Sequence, residues 1–160
     1  MAKNLKFGTT SENFFDLLVG TEVESEIANI RAKNNIDESR ILYIYDLACE
    51  FYQNYQLKEA EILFAGYAGL NPYDHRAVGG LAAILLLKGK HEKALEVLNV
   101  LKTYPTNDFD ETILNISLCH YKMKEYQQAS AALMIVKSSR LNSFNKERFD
   151  YLSRQLNPYL

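Results

Sequence analysis

The stretch LACEFYQNYQLKEAEILF (47–64) decides the fold, because LAAILLLKGKHEKALEVL (81–98) and ISLCHYKMKEYQQASAAL (116–133) repeat its pattern. Each opens with an apolar residue and a small one: Leu47-Ala48, Leu81-Ala82, Ile116-Ser117. A larger residue follows three positions after the small one, at Phe51, Leu85 and His120. After a polar turn come an alanine (Ala60, Ala94, Ala129) and, four residues on, a bulky apolar side chain (Phe64, Leu98, Leu133). The alanines lie 34 and 35 residues apart. Almost nothing alternates with period two, and glycine and proline are scarce (seven and three), so the chain reads as all-α. A fixed period in such a chain points to stacked helical units, none of which buries its apolar face alone.

The period and pattern resemble the tetratricopeptide repeat, a pair of antiparallel helices. Small residues at Ala48, Ala60, Ala82, Ala94, Ser117 and Ala129 let the helices of a pair approach closely. Ile44, Phe51, Val78, Leu85, Ile113 and Leu133 fill the space between them. Pro72, in LNPYD, stands where the family places its helix-ending proline, and Asp74 is positioned to cap the next helix. The chain departs from the family where tryptophan is replaced by Ile44, Val78 or Ile113, where the usual glycine is alanine or serine, and where Pro105 falls one position early.

The expected fold is therefore a tetratricopeptide-repeat superhelix of three helix pairs (about 41–74, 75–108 and 110–140, within 37–140) in a single domain. An N-terminal helical arm (1–36) precedes it. There TTSENFFDLLVG has a Ser/Thr start and Gly20 as a stop, and TEVESEIANI follows with a capping box from Thr21 to Glu24. At the other end SFNKERFDYLSRQL places Phe144, Phe149 and Leu152 on one face, as a C-terminal capping helix (141–160) that closes the core.

Composition excludes several functions. The 160 residues carry a net charge of -2, with 48% hydrophobic and 24% charged residues, and no Lys/Arg cluster suited to nucleic acid. The longest apolar run, Leu81 to Leu87, is too short to span a bilayer, which argues against direct membrane association. MAKNLKFGTT lacks the apolar segment of a signal peptide, and Cys49 and Cys119 make no disulfide framework, so the expected location is cytoplasmic. Catalytic, metal and cofactor sites are not expected either. His75, His91 and His120 stand 16 and 29 residues apart without zinc spacing, and GYAGL and VGGLAA lack the lysine and spacing of a phosphate cradle.

The tyrosines of YIYDLACEFYQNYQ (43–56) carry the functional reading. At about 100° per residue, Ile44, Leu47, Ala48 and Phe51 form the stripe that packs on the partner helix, whereas Tyr45, Cys49 and Tyr52 form a second stripe. In stacked pairs the first helices line the concave side. The corresponding stripes later in the chain are Gly79, Ala83 and Leu86, then Leu114, Leu118 and Tyr121. The groove is thus expected to be apolar or aromatic, with large walls and small gaps suited to an extended peptide. Gly79-Gly80 serves either close helix packing or close approach of a bound chain.

An N-terminal helical arm, three degenerate repeats and a closing helix together resemble the class II chaperones of bacterial type III secretion systems. The likeness covers about 11–140 and is carried by LYIYDLACEFYQNYQLKEAEILF, by NPYDHRAVGGLAA with Tyr73, Asp74 and Arg76, and by SLCHYKMKEYQQA. NFFDLLVGTEVESEI is similar to the family's arm. The resemblance implies a cytoplasmic bacterial chaperone whose concave face, Tyr45, Cys49, Tyr52 and Arg76 included, holds an extended segment of a secreted, hydrophobic translocator protein. Cys49 departs from the family's phenylalanine. The arm, here Phe14, Phe15, Leu17 and Leu18, is implied to form a homodimer or to contact the cargo. A chaperone for a needle or filament subunit, or a scaffold joining proteins in a complex, are the alternative readings.

Overall fold

Aspartates start the first helix of every pair. Asp37, Asp74 and Asp108 each have extended backbone and accept an N–H from the first turn that follows, from Arg40, Arg76 and Glu111 respectively. The second helices begin differently. Residues 55, 89 and 124 lie one repeat apart and all adopt the left-handed conformation: Tyr55 (φ 57), Gly89 (φ 67) and Lys124 (φ 65). Each closes the preceding helix with the paired Schellman bonds, for example Tyr55 N–H to Tyr52 O at 3.0 Å and Gln56 N–H to Phe51 O at 2.9 Å. Only Gly89 reaches this conformation without a Cβ penalty. Tyr55, 79% exposed, gains nothing from burial, so Tyr55→Gly is expected to raise stability by about 1 kcal/mol in a urea melt. No change would mean that the Tyr55 side chain makes a compensating contact.

The computed structural model describes residues 21–159. Among them, α1 (Thr21–Lys33) is followed by three antiparallel pairs: α2 (Glu38–Gln53) with α3 (Leu57–Leu70), α4 (His75–Leu87) with α5 (His91–Leu101), and α6 (Phe109–Lys122) with α7 (Tyr126–Leu133). Helix α8 (Ser143–Leu156) packs on α6 and α7, with short 3-10 turns before and after it (Ser138–Arg140, Asn157–Tyr159). The fold is the all-α tetratricopeptide-type superhelix that the period predicts. Phe14, Phe15, Leu17 and Leu18 lie outside the described residues, as do the side chains of the Thr21–Glu24 box.

The six small residues are buried at the helix crossings, Ala48, Ala60, Ala94, Ser117 and Ala129 completely and Ala82 nearly so. At the third crossing the Ser117 hydroxyl donates to the Ala129 carbonyl at 2.7 Å, which requires the two backbones to be close. Val78, Leu85, Ile113 and Leu133 are core residues, whereas Ile44 and Phe51 of the first pair are only half-buried against it. The closing helix is rotated from its expected face. Leu152 and Leu156 are fully buried and Asn145 nearly so, with Phe149 partly buried, while Phe144 is 66% exposed beneath the Arg148 guanidinium. The inward stripe therefore runs 145, 149, 152, 156, the i, i+4, i+7 spacing of one helix face.

Candidate functional groove

The sequence NPYDHRA builds a latch between the first two pairs. Tyr67, fully buried near the end of α3, donates its hydroxyl to Asp74 at 2.5 Å. Asp74 in turn accepts Arg76 Nε at 3.0 Å and Nη2 at 2.6 Å, besides capping α4 through the Arg76 N–H. Arg76 Nη2 also donates to the Tyr67 hydroxyl at 3.1 Å. Burial opposes ionisation of Asp74, but the bonds from Arg76 and Tyr67 outweigh it and hold its carboxyl well below the usual carboxylate range. Burial and the Asp74 acceptor both push the Tyr67 phenol up.

This latch orients Tyr45. The Arg76 guanidinium lies 4.6 Å over its ring, and the rings of Tyr67 and Phe64 stand 5.2 and 5.8 Å away. Burial, together with the neighbouring Cys49 thiol, pushes the Tyr45 phenol up to about 12. Tyr45 is thus a groove wall and part of the packing at once. Its truncation would disturb the fold as well as the surface, so it is a poor isolated probe of binding.

Between the first helices of the three pairs lies an open cavity of about 380 Å³. Gly79, Ala82 and Ala83 of α4 form its floor with Leu98 and Leu101 of α5. Tyr45 and Arg76 make one wall. The opposite wall is polar: Asn107 and Asp108 precede α6, and Glu111, Thr112 and Asn115 lie on it. The two glycines have separate roles. A Cβ at Gly80 would stand 2.7 Å from the Phe64 ring, whereas a Cβ at Gly79 would meet only Leu101 Cδ2, at 4.0 Å. Close packing explains Gly80; Gly79 keeps the cavity open.

Of the residues the sequence assigns to the groove, Tyr45, Arg76, Gly79 and Ala83 come together around this cavity. Cys49, Tyr52, Leu86, Leu118 and Tyr121 are partly buried and packed against the core outside its lining. Tyr52 lies within the field of Arg148 on α8. Tyr121 meets Tyr151 of α8 edge-on, with ring centroids 6.1 Å apart, so the closing helix takes up that end of the stripe. Leu114 is fully buried and offers no surface to a ligand. Asn115, one residue on, faces the cavity instead and accepts a hydrogen bond from Arg148. The groove is consequently mixed rather than purely apolar. Its polar wall was legible only in DFDETILN (108–115), where charged and polar residues interrupt the apolar ones.

Among the described residues no cluster of three or more His, Cys, Asp or Glu could hold a metal ion, and no helix is long and apolar enough to cross a membrane. Both described cysteines are free, and burial pushes the Cys119 thiol up to about 12.

No curated protein matches the chain in sequence. Its fold is similar to that of the Yersinia enterocolitica type III secretion chaperone SycD in complex with a peptide of the translocator YopD, with TM-score 0.62 and 21% identity over 78% of this chain and 92% of that one. A type III secretion complex from Aeromonas hydrophila gives TM-score 0.67 and 14% identity over 88% and 95%. The first tetratricopeptide domain of Spaghetti (RPAP3), bound to the HSP90 peptide SRMEEVD, gives 0.64 and 13% over 77% and 94%. At these identities the likeness is one of fold. In sequence, residues 53–134, just over half of the chain, match the model of the family described as anaphase-promoting complex, cyclosome, subunit 3, and the chain belongs to that repeat family.

Proposed function

We propose that the chain is a chaperone of a type III secretion system that holds an extended segment of a hydrophobic, membrane-inserting secreted protein in its groove. The segment would otherwise aggregate in water; covered, it stays soluble until export. The observation that carries this reading is the open cavity of about 380 Å³ whose floor is Gly79, Ala82, Ala83, Leu98 and Leu101. An apolar floor bounded by a few fixed polar groups is what a side-chain pocket needs, and Tyr45, Arg76, Gly79 and Ala83 would be its contact residues. Similarity in fold to SycD with its YopD peptide supports the same use of this face. A strongly acidic peptide of the SRMEEVD kind fits less well, because Asp108 and Glu111 stand in the wall and would repel it.

Co-purification from cells that make the protein, followed by mass spectrometry, tests the proposal. The expected partner is a secreted protein with long apolar segments, recovered with the wild type and lost with Gly79→Leu, which fills the cavity. Equal recovery with that variant, or a partner lacking apolar segments, would sink the reading.

A further inference from the structure

Resting on the groove reading above, we infer that the bound segment carries a lysine or arginine beside its apolar residues, and that Glu111 is the residue that selects it. The cavity is lined by one guanidinium (Arg76), one imidazole (His75) and two carboxylates (Asp108 and Glu111). Arg76 is already neutralised: it gives its Nε and Nη2 hydrogens to Asp74 and the Tyr67 hydroxyl and covers the Tyr45 ring. His75 Nδ1 is engaged with the Thr106 hydroxyl at 2.8 Å. Asp108 uses one oxygen to cap α6, accepting the Glu111 N–H at 3.0 Å. Only the Glu111 carboxylate, half-buried on the wall opposite Arg76, has no hydrogen bond or ion pair to another described residue. Arg148, the basic group held by Asn115 one turn further along α6, lies 5.0 Å over the Phe144 ring and makes no ion pair with Glu111.

A segment laid across this cavity strips water from Glu111. If the segment is neutral there, the carboxylate loses hydration and gains nothing; an acidic side chain adds repulsion. A basic side chain gains a charge-assisted hydrogen bond at a site shielded from solvent. The apolar floor supplies affinity for many sequences, and Glu111 distinguishes among them. The helix dipole of α6 favours a carboxylate in its first turn, but that does not require the carboxylate to face a cavity.

The test is selection from a displayed library of random linear peptides on the full chain, in wild-type, Glu111→Gln, Glu111→Lys and Gly79→Leu forms. The wild type is expected to enrich apolar peptides with Lys or Arg at a fixed spacing from the apolar residues. Glu111→Gln should keep the apolar preference, lose the basic one, and bind the enriched peptides about tenfold more weakly. Glu111→Lys should turn the preference to Asp or Glu. Apolar peptides without a basic preference, or a basic preference that survives in Glu111→Gln, would overturn the role of Glu111 and leave the groove reading standing. Failure to enrich any peptide, or equal enrichment by Gly79→Leu, would overturn the groove reading and this inference with it.

Discussion

Gly80→Ala is expected to lower stability by about 1–2 kcal/mol, or roughly 3–6 °C in melting temperature for a domain of this size. Helix propensity alone predicts the opposite, a gain of about 0.5–1 kcal/mol from replacing a mid-helix glycine. Packing wins because the new methyl would stand 2.7 Å from the Phe64 ring, which is itself buried and cannot swing away into solvent. Phe64 also packs against Tyr45, so any shift of its ring reaches the wall of the cavity. Gly79→Ala, one residue away, is expected to stabilise by about 0.5–1 kcal/mol, since its nearest neighbour is 4.0 Å off. Denaturant melts of the two variants measure the contrast directly. Equal effects would mean that the two glycines are not divided between packing and open space.

Asp74→Ala is expected to cost more, about 2–4 kcal/mol, because one carboxylate serves two purposes. Its loss removes the cap of α4, worth about 0.5–2 kcal/mol. It also leaves the buried Tyr67 hydroxyl facing two donors, Arg76 Nη2 and Asn71 Nδ2, with no acceptor, a further 1–3 kcal/mol or so. Asp74→Asn keeps most of the cap and isolates the charge. The folded protein holds the Asp74 carboxyl below its ordinary value of 3.8. The carboxylate therefore contributes stability that is fully present above that value and is lost as pH falls through and below it. Wild-type stability should decline more steeply below about pH 4 than that of Asp74→Asn. Parallel pH profiles would show that the latch contributes little.

Much of the fold was legible because its constraints recur in every unit. A close helix crossing demands a small residue at both contact points, so the alanines at 60, 94 and 129 announced the pairs. Asp74 announced a helix start by the same logic, since its side chain caps locally. The left-handed turns at Tyr55 and Lys124 were hidden, as neither residue is the glycine that marks the same turn at Gly89.

The groove was legible only in part. Tyr45, Gly79 and Ala83 follow from the register of the first helices, but Leu114 does not: α6 borders the cavity with Glu111, Thr112 and Asn115, and Leu114 is turned into the core. Neighbouring helix residues differ by about 100° in direction, so a one-residue difference exchanges a core side chain for a wall. Separating Gly79 from Gly80 required the position of Phe64, which lies on another helix. Nor could the neutralised charge of Arg76 be read from spacing, since it depends on Tyr67 as well as on Asp74.

The use of the concave face is tested most directly by site-specific photo-crosslinking in cells that make the protein. A photoreactive residue at position 83, on the cavity floor, should capture an extended apolar segment of a membrane-inserting secreted protein. The same group at position 62, where Ile62 is 72% exposed on a second helix, should capture little of it. Capture from position 62 and not from position 83 would contradict binding in the groove.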